Sequence, residues 1–208
     1  MYNPPHFAVL NLAAVHAMIR ENVFATFAAV IDGAIHFGYL PVQLDESAKP
    51  SGSVHFHCAR SNPLAKIEDG GVVKMSIMGA HAYVSPDWYE TPDQVPTWNY
   101  TAVEASGRVK RLSDTDTLRY LERFAAEQEK LLAPKPPWSP AKVNPSRLIQ
   151  LSKGITGFEL VFDTLEGKAK LSQNRSQTDV RQTIAALEER GDPASIAVAA
   201  AMQKFSLR

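Results

Sequence analysis

Asp32-Gly33 stands between two apolar runs, VFATFAAVI at 23–31 and AIHFGYLPVQL at 34–44. That dipeptide tolerates the positive φ that a two-residue hairpin demands, so the runs read as strands paired antiparallel. The strand pattern continues beyond them. A polar loop at 45–52 leads to SVHFHC, a third strand, and Gly70-Gly71 turns the chain into a fourth at 72–78. Strand character resumes over 101–112, where Gly107 marks a candidate bulge. Helix signals lie mostly elsewhere. Asn11 caps a short helix with Leu12, Val15, Met18 and Ile19 on one face. Asn62-Pro63 opens another to about Glu68. Ser113 or Asp114 starts a longer one running to about Leu132, with Leu118, Leu121, Phe124 and Ala125 on its buried face. A proline-rich connector, APKPPWSPAKVNP, precedes a brief helix after Asn144-Pro145 and a last strand at 154–165. The tail from Ser176 is helical, Ser176 and Asp179 having capping-box spacing, and Asp192-Pro193 restarts it. Strands before 112 and helices after it predict α+β with an antiparallel sheet; closely spaced short strands favour a small barrel.

A chain of 208 residues can bury a real core within one domain. Its 22 Lys+Arg balance 22 Asp+Glu, which leaves no global electrostatic footprint for salt-dependent nucleic-acid binding. One cysteine, Cys58, excludes an internal disulfide and a cysteine-based zinc cage, consistent with a reducing compartment. The N-terminal stretch lacks the basic-then-apolar pattern of a signal peptide, and no apolar run is long enough to span a bilayer. The expected location is the cytoplasm.

Three segments carry candidate chemistry. Residues 81–100, HAYVSPDWYETPDQVPTWNY, interleave Trp88, Trp98 and three tyrosines with Ser85, Asp87, Thr97 and Asn99. Prolines at 86, 92 and 96 exclude a continuous helix or central strand, leaving a stiff aromatic loop suited to a planar heteroaromatic ligand. The alternative is a loop held down by its own aromatics. In the second segment, alternation places His55 and His57 on one strand face and Cys58 on the other. Two histidines without a third ligand make a poor metal site. The turn that follows, Arg60-Ser61-Asn62, offers a guanidinium and helix-start amides to a phosphate; the alternative is an Asn-Pro cap with a surface arginine. Third, EGKAKLSQNR at 166–175 places a glycine and cations after a strand, either as an anion clamp or as a solvated basic loop. It lacks the Walker spacing, and the chain has no GxSxG, HExxH or GxGxxG pattern.

Together these segments resemble the PaiB-type family of FMN-binding negative transcriptional regulators. The matches are FATF at 24–27, HCARSNP at 57–63, GAHAYVSPDWY at 79–89, VPTWNY at 95–100, GITGFEL at 154–160 and LEGKAKLSQNRS at 165–176. The resemblance implies an α+β chain with a mainly β core: an FMN-binding split β-barrel with peripheral helices and a helical C-terminal tail. It implies one domain over 1–208, with the barrel core at about 20–165 and the tail at about 176–206. It further implies a homodimer with FMN at the subunit interface. By position, Arg60, Ser61 and Asn62 would meet the FMN phosphate, with Lys66 a few residues on. His57 and the strand around Tyr39 would approach the ring. Trp98 and Asn99 would supply ring packing and edge hydrogen bonding, with Ser85, Trp88 and Thr97 of the aromatic stretch as further candidate cofactor contacts, and Lys168, Lys170, Gln173, Asn174 and Arg175 would reach across the dimer. Tyr39 departs from the family, which usually has histidine there, so chemistry through that histidine is in doubt. A flavin-dependent oxidoreductase and a haem-binding split barrel are the competing functions, since the fold alone does not choose among them. Direct DNA contact is disfavoured by the neutral charge and by acidic, alanine-rich C-terminal helices.

Overall fold

A computed structural model describes residues 1–48 and 50–206. The hairpin forms as the turn chemistry demands. Strands β2 (Phe24–Ile31) and β3 (Ala34–Asp45) pair antiparallel around Asp32 and Gly33, whose φ values are 52° and 77°. Registry pairs Ala28 with Phe37 and Thr26 with Tyr39. One face of the hairpin is buried: Ala25, Phe27, Ala29, Ile31 and Leu40 lie in the core. The other face carries Phe24, Val30, Ile35, Phe37 and Tyr39, every one exposed. Both faces of this hairpin are therefore apolar, which a strand with one solvated face does not need.

The remaining strands are β1 (Ala8–Val9), β4 (Ser53–Ala59), β5 (Val72–Val84), β6 (Thr97–Arg111) and β7 (Ile155–Lys170). Their order is β1-β7-β4-β3-β2-β5-β6, and β6 also pairs with β7, so the ladder of pairings closes on itself. Closure removes the free edges that an open sheet would leave. The helices are α1 (Leu12–Glu21), α2 (Asp114–Lys130), α3 (Pro145–Ser152), α4 (Gln177–Arg190) and α5 (Pro193–Ser206). The expected helix after Asn62 is a single 3₁₀ turn, Pro63–Lys66, because the Ile67 amide closes onto Leu64 and the chain then turns extended. Gly107 sits within β6 where an added Cβ would collide with the Val161 carbonyl of β7.

The chain clusters into two compact units. One comprises 23–75 and 105–164, with Phe27, Phe56 and Phe158 stacked in series at 4.3 and 5.2 Å between centroids. The other comprises 1–22, 76–104 and 165–208. Its core joins Ala82, Ala169 and Leu171 of the strand region to Val180, Ile184 and Leu187 of α4 and Val198, Ala199 and Met202 of α5.

Candidate functional site

In the first unit, the expected phosphate turn is built on β4. Burial alternates along that strand: Val54, Phe56 and Cys58 point into the core, while His55 and His57 are half-buried on the other face. His57 Nδ1 lies 3.1 Å from the hydroxyl of the fully buried Tyr120, and burial lowers the affinity of this imidazole for a proton. Burial likewise pushes the Cys58 thiol up to about 11, so it is not an activated nucleophile. At the end of β4 the Arg60 guanidinium donates to the Ile155 carbonyl and to Asp114, both at 3.3 Å. Asn62 Oδ1 accepts from the Leu64 amide, which fixes the turn. Lys66 pairs with Asp32 at 3.0 Å. Ser61 is exposed. The turn is seated through Leu64 on Gly38, where a Cβ would meet the leucine side chain, and Tyr39 follows on the outer face. Both ion pairs are exposed, and such pairs contribute only ~0–1 kcal/mol.

In the second unit, the aromatic segment is shorter than the expected loop at 81–100. Strand β5 runs on to Val84, with Ala82 and Val84 buried and His81 and Tyr83 exposed, and β6 already begins at Thr97. Only 85–96 is loop, because alternation carries the ladder through residues whose composition reads as irregular. Ser85 caps the turn at Pro86–Trp88 by accepting from the Asp87 amide. Trp88 packs against the core of α4 and α5. Trp98 is 53% exposed, with the Tyr83 ring edge-on at 6.2 Å and the His81 ring at 6.4 Å. Asn99 is turned inward, its amide donating to Ser172 at 3.0 Å and to Met202 sulfur at 3.4 Å. Lys170 donates to Thr97 Oγ1 and to the Trp98 carbonyl. Lys168 is 6% exposed and lies over the Tyr100 ring at 5.2 Å. Arg175 lies over Tyr89 at 4.9 Å and donates to Gln94. Gln173 closes its own turn through the Leu171 amide and Ala169 carbonyl, and Asn174 is exposed.

A cavity of about 520 Å³ opens beside Trp98, Tyr100, His81 and Lys168, within the size range of small-molecule sites. Of its lining, Met78, His81 and Tyr100 escaped sequence reasoning; exposure along β5 switches from even to odd positions between Met78 and His81, so simple alternation does not bring them together. Asp179 anchors the loop. Its carboxylate accepts from Thr91 Oγ1 at 2.6 Å and from the Glu90 and Thr91 amides at 2.9 and 3.3 Å. The Thr91 hydroxyl leads the interactions that hold this carboxyl below its ordinary value of 3.8. A carboxylate with a lowered folded pKa contributes stability above its ordinary pKa and loses it as pH falls through the folded value. Melting temperature is therefore expected to drop below about pH 4, and Asp179→Asn should reduce the slope of that drop while lowering stability at pH 7. An unchanged pH slope in this variant would remove Asp179 as the anchor.

Among the described residues no group of three or more His, Cys, Asp or Glu side chains is placed to hold a metal, and no helix is long and apolar enough to cross a membrane. The model of the family described as "Putative FMN-binding domain" matches residues 1–164. The chain belongs to this family. FMN is accordingly its cofactor, and a half-exposed indole beside a cavity of about 520 Å³ suits a flat heteroaromatic ring. The protease synthase and sporulation protein PAI 2 of Bacillus subtilis is 30% identical over 194 residues, covering 93% of this chain and 92% of that one. An uncharacterized protein of Emericella nidulans is 25% identical over 96% of this chain and 95% of its own length. Among solved structures, an FAD- and haem-binding protein of Mycobacterium smegmatis aligns at TM-score 0.55 and 14% identity, over 78% of this chain and 73% of that one. A conserved hypothetical protein of Mycobacterium tuberculosis aligns at 0.55 and 12%, over 85% and 95%. At such identities the likeness concerns the fold, a split β-barrel with a mainly β core, as the motifs of this FMN-binding family lead one to expect.

Proposed function

We propose that this protein is a PaiB-type flavin-binding regulatory module, working in the cytoplasm as an FMN-loaded homodimer. The observation that carries this reading is Trp98, a large ring left 53% exposed on a strand whose next residue, Asn99, is 1% exposed. An indole so rigidly backed offers a flat apolar face at low entropic cost, which is what an isoalloxazine requires. In this reading Trp98 stacks on the ring, Arg60, Ser61, Asn62 and Lys66 take the phosphate, and FMN is the sensed ligand. The apolar outer face of the β2–β3 hairpin supports the homodimer, because five exposed large side chains on one ribbon call for a covering partner. Regulation then runs through a protein or redox partner, since equal numbers of acidic and basic residues give DNA no general attraction. Purification with a flavin absorbance that NAD(P)H does not bleach is the expected result. Bleaching with turnover would replace the regulatory module by an oxidoreductase, and a haem Soret band without flavin would sink the reading.

Arg60→Ala should weaken FMN by ~1.5–3 kcal/mol, the range for a hydrogen bond to a charged group, and should leave riboflavin affinity unchanged. Calorimetric titration with both ligands decides between a phosphate contact and a general structural role. Equal weakening of both would place the phosphate elsewhere.

A further inference from the structure

Helix α2 turns two faces to different surroundings. Its buried residues are Thr117 and Tyr120, and the Tyr120 hydroxyl meets His57 of β4 at 3.1 Å. The face expected in the core, Leu118, Leu121, Phe124 and Ala125, is instead half-buried or exposed. Helix α3 buries no residue, and its Ile149 and Leu151 are 57% and 48% exposed. An amphipathic helix is held to a fold by covering its apolar stripe, and neither stripe is covered here. Both line one cavity of about 490 Å³, which Ile155 at the start of β7 also borders. The connector between the helices supplies Trp138 and Pro140 to its wall. Glu129 of α2 fixes that connector, accepting from the Trp138 amide at 2.7 Å and pairing with Lys135. Besides the indole, Glu122 and Ser152 are the polar side chains of the lining, and Ser152 Oγ already donates to the Ile149 carbonyl at 2.9 Å. Every wall residue falls within 118–155, inside one compact unit, and none belongs to the Arg60 turn, the Trp98 face or the β2–β3 hairpin. A sphere of this volume has a wall of roughly 300 Å², against the ~800 Å² that each partner buries in a stable protein interface. The space therefore suits a small molecule better than a protein surface.

We infer that the cavity between α2 and α3 binds a small uncharged apolar molecule, distinct from the cofactor and carrying at most one hydrogen-bonding group. Leucine and isoleucine side chains with the Trp138 ring reward apolar surface and a flat body. A polar molecule would lose hydrogen bonds to water and regain few. An anion would meet Glu122 and no cation in the lining. The inference stands apart from the proposed function, because no residue of this wall is assigned to FMN.

Calorimetric titration of the FMN-loaded protein with 2-naphthol, and separately with 2-naphthoate, tests it. The neutral naphthol should bind and the carboxylate should bind at least ~10-fold more weakly, since its charge finds no partner. Ala125→Trp, which fills the cavity, should weaken naphthol at least ~10-fold, and Trp138→Ala should weaken it by about the same factor. Phe37→Asp and Trp98→Ala should leave it unchanged. If Ala125→Trp fails to fold, Ile149→Gln carries the decision, because that side chain is 57% exposed, and melting curves confirm the fold of each variant. No naphthol binding would overturn the inference, as would equal binding of the carboxylate. Binding lost in Phe37→Asp or Trp98→Ala but kept in Ala125→Trp would move the probe to the hairpin or the flavin face and overturn it too. A dimer that Ile149→Gln dissociates, with naphthol binding to the monomer alone, would show a second copy covering the cavity and replace the small molecule. Should FMN not bind, the apo protein is titrated with the same variants, so failure of the flavin reading leaves this test intact.

Discussion

Phe37→Asp is expected to turn the proposed homodimer into a monomer. Phe37 is 63% exposed on the outer face of the hairpin, opposite Ala28 and between Ile35 and Tyr39. A carboxylate introduced there would be buried without a partner when two such faces meet, at a cost of ~3–5 kcal/mol. That corresponds to a dimer dissociation constant raised roughly 10²- to 10⁴-fold. The monomer should keep its fold, because the inward side chains Phe27, Ala29 and Leu40 are untouched. Sedimentation velocity across micromolar concentrations, with circular dichroism as a check on folding, measures both. Unchanged sedimentation of the variant would mean that this face is not the interface. An FMN affinity that falls together with the dimer would link cofactor binding to assembly.

Trp98→Ala is expected to separate binding from stability. Stacking on an aromatic side chain contributes ~1–3 kcal/mol per flat heteroaromatic ring, so FMN should bind roughly 10- to 100-fold more weakly. Thermal stability of the apo protein should change little, because half of the indole already faces solvent. Phe56→Ala supplies the contrast. That ring is fully buried between Phe27 and Phe158, and its truncation should cost ~3–5 kcal/mol of stability. Tryptophan emission should also fall when FMN is added to the wild type, and the Trp98 variant should lose most of that quenching. A strongly destabilised Trp98→Ala protein with undiminished FMN affinity would make this residue part of the packing and leave the ring to another wall.

Local chemistry was legible in the chain because it depends on neighbours a few residues apart. Asp32-Gly33 makes the hairpin turn, and Asn11, Asn62, Ser113, Asn144 and Ser176 each accept a backbone N–H at a helix start. The antiparallel β core before residue 112 and the motifs of the FMN-binding family were readable for the same reason. What long-range contacts decide was not. Asp179 has the spacing of a capping box, and its amide does donate to Ser176, but its carboxylate is spent on Glu90 and Thr91, some ninety residues away. The aromatic stretch looked like one loop because its prolines and polar residues break any local pattern. Ladder pairing in the sheet nevertheless extends β5 to Val84 and starts β6 at Thr97, which divides the two tryptophans between packing and surface. The same pleat turns Asn99 inward to Ser172 and leaves Trp98 outside, although the two are adjacent in sequence and were both read as facing a ligand. Lys168 and Lys170 read as part of a segment after the last strand, an anion clamp or a solvated basic loop, yet strand β7 continues five residues past the expected end at 165 and carries the Lys168 ammonium into a nearly closed aromatic setting. Sequence spacing thus determined turns, caps and the alternation of faces. Which face met a core and which was left exposed depended on the strands paired alongside, and only the closed ladder of the barrel supplied those.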